Sequence, residues 1–331
     1  MTRTMPRTRN ASAGPSPFAV AAQPLVSRKF RDPLVTAKGE ERARAPFVAL
    51  DTLWFNTGTL CNLACANCYI DSSPVNDALV YLTEAEVARF LHEIAASGRP
   101  VREIGFTGGE PFMNREFVPM LERTLAAGFE ALVLTNAMKP MRRYEAALLT
   151  LRERFGAKLT LRVSLDHHSR EVHEGERGPG SWEAAIDGLR WLSANGFSLA
   201  IAGRRLAGER EAAARVGYAR LFAAEGIGVD AADPARAVLF PEMDEAADVP
   251  EISTGCWDIL GKRPDGVMCA TSRMVVRRKG EASARVVACT LLPYAPGFDL
   301  GETLAEAARP VPLNHPHCAR FCVLGGASCS G

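Results

Sequence analysis

The sequence predicts an α/β fold: a partial (β/α)6 TIM-type barrel with a small cysteine-rich C-terminal extension. The first observation is that short apolar runs alternate with helical segments from Val48 to Phe240. Nearly continuous apolar strands separated by helices are typical of a parallel sheet covered on both faces. The second is that unusual motifs follow several of these runs. In a parallel sheet, the loops after the strands meet at one rim, where active sites lie.

The predicted elements follow one another regularly. We predict strands over six apolar runs: 48–55, 103–107, 131–135, 159–165, 197–202 and 237–240. Helices are predicted between them, beginning near residues 83, 116, 140, 181 and 209. The first begins with a T-x-x-E capping box at Thr83 and Glu86, and Gly98 ends it.

Composition excludes several classes of protein. The chain has 331 residues, of which 47% are hydrophobic and 23% charged, and its formal net charge is +1. A nucleic-acid-binding surface would need a basic excess on one face. The two long uncharged stretches, 10–27 and 52–70, contain prolines or asparagines, so neither is the apolar run of ~20 residues that a membrane-spanning helix needs. We predict a cytoplasmic protein that contacts neither nucleic acid nor membrane.

We divide the chain into three parts. The first 31 residues contain six Arg or Lys and no acidic residue, with Ser, Thr, Ala and Pro between them. Such a segment is typical of a disordered basic tail, and an Arg-rich transit peptide is the alternative. We predict a disordered tail over residues 1–45, the barrel over 46–245 and a cysteine-rich domain over 246–331.

The cysteines are unevenly placed. Three of the nine lie within eight residues, and the other six lie in the last quarter of the chain. A secreted disulfide framework usually occurs in a much smaller chain, so this clustering favours metal binding in a reducing compartment.

The first cluster is the loop after the first predicted strand. Cys61, Cys65 and Cys68 form a C-x3-C-x2-C pattern. Three thiolates can bind three irons of a [4Fe-4S] cluster and leave the fourth iron open to another ligand. A zinc site is the alternative, but zinc needs a fourth ligand, and the closest histidine in sequence, His92, lies in a predicted helix.

This loop resembles the signature of the radical S-adenosylmethionine (SAM) superfamily, and the resemblance extends from Val48 to Phe240. It implies that the open iron binds the amino and carboxylate groups of SAM. Reductive cleavage of SAM then gives methionine and a 5′-deoxyadenosyl radical, which abstracts a hydrogen atom from the substrate. It also implies a reducing electron donor of the flavodoxin or ferredoxin type.

Several other motifs carry the same resemblance. Gly108-Gly109-Glu110-Pro111 matches the family's GGEP motif, which implies contact with the SAM amino group. Paired glycines allow a backbone to approach a ligand closely.

Arg177 lies in a segment similar to the family's H…RG.GS motif and is expected to bind the SAM carboxylate in a bidentate manner. Further cofactor contacts are expected at Tyr69, Asn136, Ser164, Asp166 and Gly203. The family's aromatic residue before the third cysteine is replaced here by Asn67. We predict that His167 and His168, which are adjacent, point in different directions.

The second cysteine group lies near the C terminus. It comprises Cys256, Cys269, Cys289, Cys318, Cys322 and Cys329. It resembles the auxiliary-cluster extensions (SPASM or twitch type) of radical SAM enzymes, although its spacing matches neither type. Six thiols could ligate one closed cluster with two to spare, or contribute to two clusters. A zinc site that includes His315 or His317 is the alternative.

Three functions remain open at this stage. The first is a radical SAM enzyme that modifies a peptide or protein, or that oxidises or rearranges a small molecule. No recognisable leader-peptide-binding domain precedes the barrel, which weakens the peptide option. The second is a non-catalytic iron–sulfur electron carrier or scaffold. The third is a zinc-stabilised binding protein.

Overall fold

Strands and helices alternate along most of the chain in the computed structural model, which describes residues 15–19, 21–241 and 244–326. The strands are β1 (Arg44–Ala45), β2 (Thr52–Asn56), β3 (Glu103–Thr107), β4 (Glu130–Thr135), β5 (Leu159–Ser164), β6 (Ser198–Arg204), β7 (Ala237–Phe240), β8 (Ser272–Val276), β9 (Arg285–Val287), β10 (Asp299–Gly301) and β11 (Val311–Pro312). The α-helices are α1 (Glu84–Ser97), α2 (Phe117–Ala126), α3 (Lys139–Arg142), α4 (Glu145–Phe155), α5 (Arg170–Arg177), α6 (Ser181–Ala194), α7 (Glu211–Glu225) and α8 (Cys256–Leu260). A π-helix, Cys318–Leu324, follows β11.

One nine-stranded sheet forms the centre of the fold. Its strand order is β10-β9-β8-β2-β3-β4-β5-β6-β7. Strands β2 to β7 are parallel, lie in sequence order and pair with their neighbours without a register shift. The predicted α/β fold with six β/α units is therefore confirmed.

Local sequence explains how these elements begin and pack. The Thr83 hydroxyl accepts a hydrogen bond from the Glu86 N–H at 3.2 Å, and the Glu86 carboxylate accepts one from the Thr83 N–H at 2.9 Å, as the capping box predicts. Gly98 ends α1 with φ +61°, a conformation that glycine adopts without strain. Between the sheet and the helices, Phe106 stacks on Phe55, with their ring centres 5.7 Å apart.

The C-terminal part is built onto the barrel. Strand β8 pairs in parallel with β2 and is buried along its whole length, and β9 and β10 then continue the sheet antiparallel. The predicted boundary at residue 245 therefore does not separate two sheets. An apolar strand placed beside β2 satisfies backbone groups that β2 would otherwise leave unpaired at the edge of the sheet.

The N-terminal segment is packed against the rest of the protein. Phe18 is fully buried, and the buried Arg42 guanidinium lies 2.5 Å from the Glu251 carboxylate. Strand β1 pairs with β11. The prediction of a disordered tail is thus wrong for residues 15–19 and 21–45. The sequence did not reveal their packing because the residues that they contact lie more than 100 positions away along the chain. Residues 1–14 lie outside the described residues. Among the helices that the structure describes, none is long and apolar enough to cross a membrane.

Candidate active site

The three cysteines of the first cluster lie together in the loop after β2. Cys61 is buried, and Cys65 and Cys68 are half-buried. Burial, with a smaller contribution from the neighbouring Cys68 thiol, raises the pKa of Cys61 and of Cys65 to about 12. A bound cation would displace the protons of such neighbouring thiols. The donor set, three adjacent thiols with no fourth cysteine in the loop, fits a [4Fe-4S] cluster with one open iron.

Two charged residues outside the predicted set hold this loop. Glu176 is 1% exposed; its side chain accepts a hydrogen bond from the Asn67 N–H at 2.8 Å, and its backbone carbonyl accepts one from the Ala66 N–H at 2.8 Å. Arg204 donates to the Asn67 carbonyl at 3.1 Å and lies 3.5 Å from the Glu176 carboxylate. The segment between Cys65 and Cys68 is therefore fixed from outside the loop. In the sequence, nothing marks Glu176 except its place beside Arg177.

The two glycines of the GGEP motif pack against the cysteine loop. Gly109 donates a hydrogen bond to the Gly58 carbonyl at 2.8 Å. A Cβ atom on Gly109 would lie 2.2 Å from the Leu60 carbonyl oxygen, and one on Gly108, whose φ is +139°, would lie 2.6 Å from the Gly58 oxygen. The close approach that requires glycine here is therefore to the protein's own backbone. Their predicted contact with SAM stays a prediction.

Glu110 connects the loops after β3 and β4. Its carboxylate accepts hydrogen bonds from the Thr135 hydroxyl at 2.9 Å and the Asn136 N–H at 2.8 Å. Burial raises its pKa to about 7, although these hydrogen bonds act in the opposite direction. The Asn136 amide in turn donates to the side-chain oxygen of Asn62 at 2.9 Å. The motifs after three strands thus form one hydrogen-bonded chain.

Asp166 and two arginines form a buried charged group beside the cysteines. Arg177 donates to the Asp166 carboxylate at 2.5 Å, and Arg204 lies 3.4 Å from it. Burial alone would raise the pKa of Asp166, but the two guanidinium groups lower it below its ordinary value. The Cys65 thiol also acts on the pKa of Arg177, so this guanidinium lies near the predicted cluster. The structure brings Asp166 and Arg177 together as partners of each other.

The remaining predicted contacts are spread along the same rim. Ser164 is half-buried at the end of β5, and Tyr69 is half-buried against the core. Gly203 lies on β6, where a Cβ atom would come 2.2 Å from the Tyr218 hydroxyl oxygen. That hydroxyl donates to the Leu165 carbonyl at 2.8 Å. Gly203 therefore has a packing role, and its contact with SAM stays a prediction.

The paired histidines do not diverge as predicted. The ring centres of His167 and His168 are 4.0 Å apart, and both Nε2 atoms lie 3.4 Å from the same Glu209 oxygen. The Nδ1 atom of His167 accepts a hydrogen bond from the Ser169 N–H at 3.0 Å. In the neutral ring Nε2 then carries the proton, whereas a metal ligand would need the lone pair there. His168 and Glu209 are within hydrogen-bonding distance, and the three groups are better described as a polar cluster than as a metal site.

Four of the C-terminal cysteines line one apolar cavity: Cys269, Cys289, Cys318 and Cys322. Burial raises the pKa of Cys318 far above its ordinary value, and the other three thiols raise it further. Cys256 lies outside this cavity, with its sulfur 3.5 Å from the Ser253 hydroxyl. Cys329 lies outside the described residues. His317 also lines the cavity, whereas the His315 ring lies 3.6 Å from the Glu245 carboxylate.

Comparison with known proteins agrees with this arrangement. The profile of the Radical SAM superfamily matches residues 55–204. The antilisterial bacteriocin subtilosin biosynthesis protein AlbA of Bacillus subtilis is 31% identical over 143 residues, which cover 43% of this chain and 30% of AlbA. Fe-coproporphyrin III synthase of Methanosarcina barkeri is 27% identical over 154 residues, which cover 44% of this chain and 35% of that protein. The chain thus spans about a third of the length of these relatives.

Two solved structures share the fold. One is anSMEcpe with bound AdoMet, with a TM-score of 0.53, 15% identity, and coverage of 78% of this chain and 77% of that chain. The other is SuiB of Streptococcus suis bound to S-adenosylmethionine, with a TM-score of 0.53, 10% identity, and coverage of 76% and 63%.

A partial barrel with a three-cysteine loop at the carboxyl ends of its strands defines a class of enzymes that use an iron–sulfur cluster. Residues 55–204, which include the three-cysteine loop and the motifs after β3, β4 and β5, carry a radical SAM domain. The family uses a [4Fe-4S] cluster and SAM, and its chemistry is the cleavage of SAM.

Proposed function

We propose that Cys61, Cys65 and Cys68 hold the [4Fe-4S] cluster at which SAM is cleaved, and that the resulting radical abstracts hydrogen from a bound substrate. The observation that supports this most strongly is the convergence of these thiols with the motifs after β3, β4 and β5 on one rim. When bound, the cluster supplies the electron and the open iron, and the protein supplies orientation and charge.

The residues around the cysteines suit a zwitterionic ligand. The Glu110 carboxylate provides negative charge for an amino group, and the Arg177 guanidinium provides positive charge for a carboxylate. Asp166 holds the Arg177 guanidinium in place. Its negative charge also pairs with this buried cation, which would otherwise be costly to bury. Asn136 and Ser164 supply polar groups for the ribose. We assign Tyr69, Gly108, Gly109 and Gly203 to the walls of the same site.

The proposal includes a second, auxiliary metal site in the C-terminal part of the chain. We assign a closed [4Fe-4S] cluster to Cys269, Cys289, Cys318 and Cys322, because these four thiols share one cavity. Four cysteines also suit zinc, so metal identity is the property to measure. Cys256 is left out of this ligand set because its sulfur is directed towards Ser253.

For the substrate we propose a peptide. AlbA, which is similar over 143 residues, is named for the biosynthesis of a bacteriocin. A small-molecule substrate is the second candidate, favoured by the similarity to Fe-coproporphyrin III synthase. The proposed electron donor is a flavodoxin or a ferredoxin.

The test is formation of 5′-deoxyadenosine. Anaerobically reconstituted protein, reduced with dithionite, is incubated with SAM, alone and with candidate peptides. We expect product from the wild type and from Cys256→Ala, and none from the Cys61/Cys65/Cys68→Ala variant. No product from wild-type protein with a fully assembled, reducible cluster, in the presence of candidate substrates, would contradict the proposed cleavage. Equal product from the triple variant would contradict the assignment of the cysteines.

A further inference from the structure

A buried arginine lies beside the auxiliary cavity without a carboxylate partner. Arg273 on β8 is 1% exposed, and its guanidinium donates to four backbone carbonyls, those of Cys269 (2.5 Å), Ser272 (2.7 Å), Ala307 (2.9 Å) and Arg309 (2.9 Å). Within the described part of the chain, no carboxylate forms an ion pair with it. The equally buried Arg42, in contrast, lies 2.5 Å from Glu251.

An isolated buried cation is costly, and a fixed anion nearby removes that cost. Burial lowers the pKa of Arg273, and the thiols of Cys269 and Cys289, both of which line the auxiliary cavity, act in the opposite direction. One of the guanidinium hydrogen bonds goes to the carbonyl of Cys269 itself. Four thiolates around a [4Fe-4S] core carry net negative charge, and this charge becomes more negative when the cluster is reduced.

We propose that Arg273 is the counter-cation of the auxiliary cluster, where it stabilises the reduced form and raises the reduction potential. This inference rests on the assignment of that cluster under the proposed function. Coulomb attraction between a buried cation and a neighbouring anion is strong in a poorly solvated interior, and it increases with the charge of the anion. Outer-shell charges are an established means by which proteins set the potential of a metal centre. Arg273 thus acts as a positioning residue.

The experiment uses full-length protein in the Cys61/Cys65/Cys68→Ala background, so that only the auxiliary cluster remains. Its midpoint potential is measured by EPR-monitored redox titration after reconstitution. Arg273→Gln removes the charge but keeps a hydrogen-bond donor, and Arg273→Lys keeps the charge but loses most of the hydrogen bonds. Arg162→Gln is the matched control, because Arg162 is similarly buried on β5, four strands or ~19 Å from β8 in the sheet.

We expect a more negative potential in Arg273→Gln and a potential near that of the background protein in Arg273→Lys and Arg162→Gln. A folded Arg273→Gln that loses its cluster while Arg273→Lys retains it would also support the proposal. An unchanged potential in Arg273→Gln would overturn it, as would a negative shift or loss of the cluster in Arg273→Lys. If Arg273→Gln does not fold, Arg273→Lys still tests the proposal, because a negative shift of its potential or loss of its cluster would overturn it. If the Cys61/Cys65/Cys68→Ala protein contains zinc, or no metal, the assignment of the auxiliary cluster is wrong, and this inference is wrong with it.

Discussion

The Glu176 carboxylate accepts a hydrogen bond from the backbone N–H of Asn67 at 2.8 Å, which links α5 to the loop between Cys65 and Cys68. The same carboxylate accepts a hydrogen bond from the Ser16 hydroxyl at 2.6 Å and lies 3.5 Å from the Arg204 guanidinium. One buried acid therefore connects the cysteine loop, the N-terminal segment and the end of β6. We expect the geometry of the cysteine loop to depend on this connection.

Replacing Glu176 with alanine should lower both the stability of the fold and the iron content. The change removes the buried carboxylate that accepts from the Asn67 N–H and pairs with Arg204, and such a loss typically costs about 3 kcal/mol. Chemical unfolding and iron analysis after reconstitution measure the two effects. Glu171→Gln, an exposed position on the same helix, should change stability by no more than about 0.5 kcal/mol. Full iron content in Glu176→Ala would show that the loop holds its shape alone.

The substitution Gly109→Ala should displace the cysteine loop. The new methyl group would lie 2.2 Å from the Leu60 carbonyl oxygen, so one backbone segment must move. We expect loss of the SAM-cleaving cluster, seen as a fall in iron content and in 5′-deoxyadenosine formation. Gly255→Ala is the control, because its Cβ atom would meet no atom within 4 Å. Normal activity in Gly109→Ala would contradict the packing role assigned to this glycine.

The pair of Arg42 and Glu251 should make stability depend on acid pH. Burial alone would raise the pKa of Glu251, but hydrogen bonds from Arg42 and from the N–H groups of Phe30 and Ala37 lower it below 4.5. A carboxyl group with a lowered pKa stabilises the fold above its unfolded-state pKa and loses this contribution as pH falls through the folded-state pKa. Thermal unfolding of Glu251→Gln should therefore show a smaller loss of Tm between pH 7 and pH 3 than the wild type. An identical acid dependence in both proteins would contradict this assignment.

Two cysteine variants should separate the proposed auxiliary ligands from Cys256. Two [4Fe-4S] clusters correspond to about eight irons per chain. We expect Cys256→Ala to retain this content and Cys318→Ala to fall to about four irons. Iron and sulfide analysis with zinc quantification checks both values. Zinc in the wild type, or equal iron loss in the two variants, would contradict the assignment.

The barrel and the first cysteine loop could be predicted because their signals are local. Apolar runs, the Thr83 capping box and the spacing of Cys61, Cys65 and Cys68 each lie within a few residues. The pairing of β8 with β2 was not predictable, because these strands lie about 200 residues apart. The same holds for the cavity that Cys269, Cys289, Cys318 and Cys322 line together.

The burial of individual charged residues could not be predicted from the sequence. Glu176, Arg204 and Arg273 look like ordinary surface charges in the sequence, and only the tertiary structure shows that all three are largely removed from solvent. For His167 and His168 the prediction was wrong. It assumed an extended chain, in which adjacent side chains point to opposite sides. In the structure the chain turns after β5, and both rings lie beside Glu209. Gly109 and Gly203 were predicted as ligand contacts, and packing against Leu60 and Tyr218 explains why each is glycine.

We propose above all that Cys61, Cys65 and Cys68 hold a cluster with one open iron that binds SAM. The most direct test is the EPR spectrum of the reduced cluster, recorded with and without SAM, in a Cys318→Ala variant that lacks the auxiliary cluster. We expect a [4Fe-4S] signal whose shape and g-values change when SAM is added. A signal that SAM leaves unchanged would contradict the claim and favour an electron carrier.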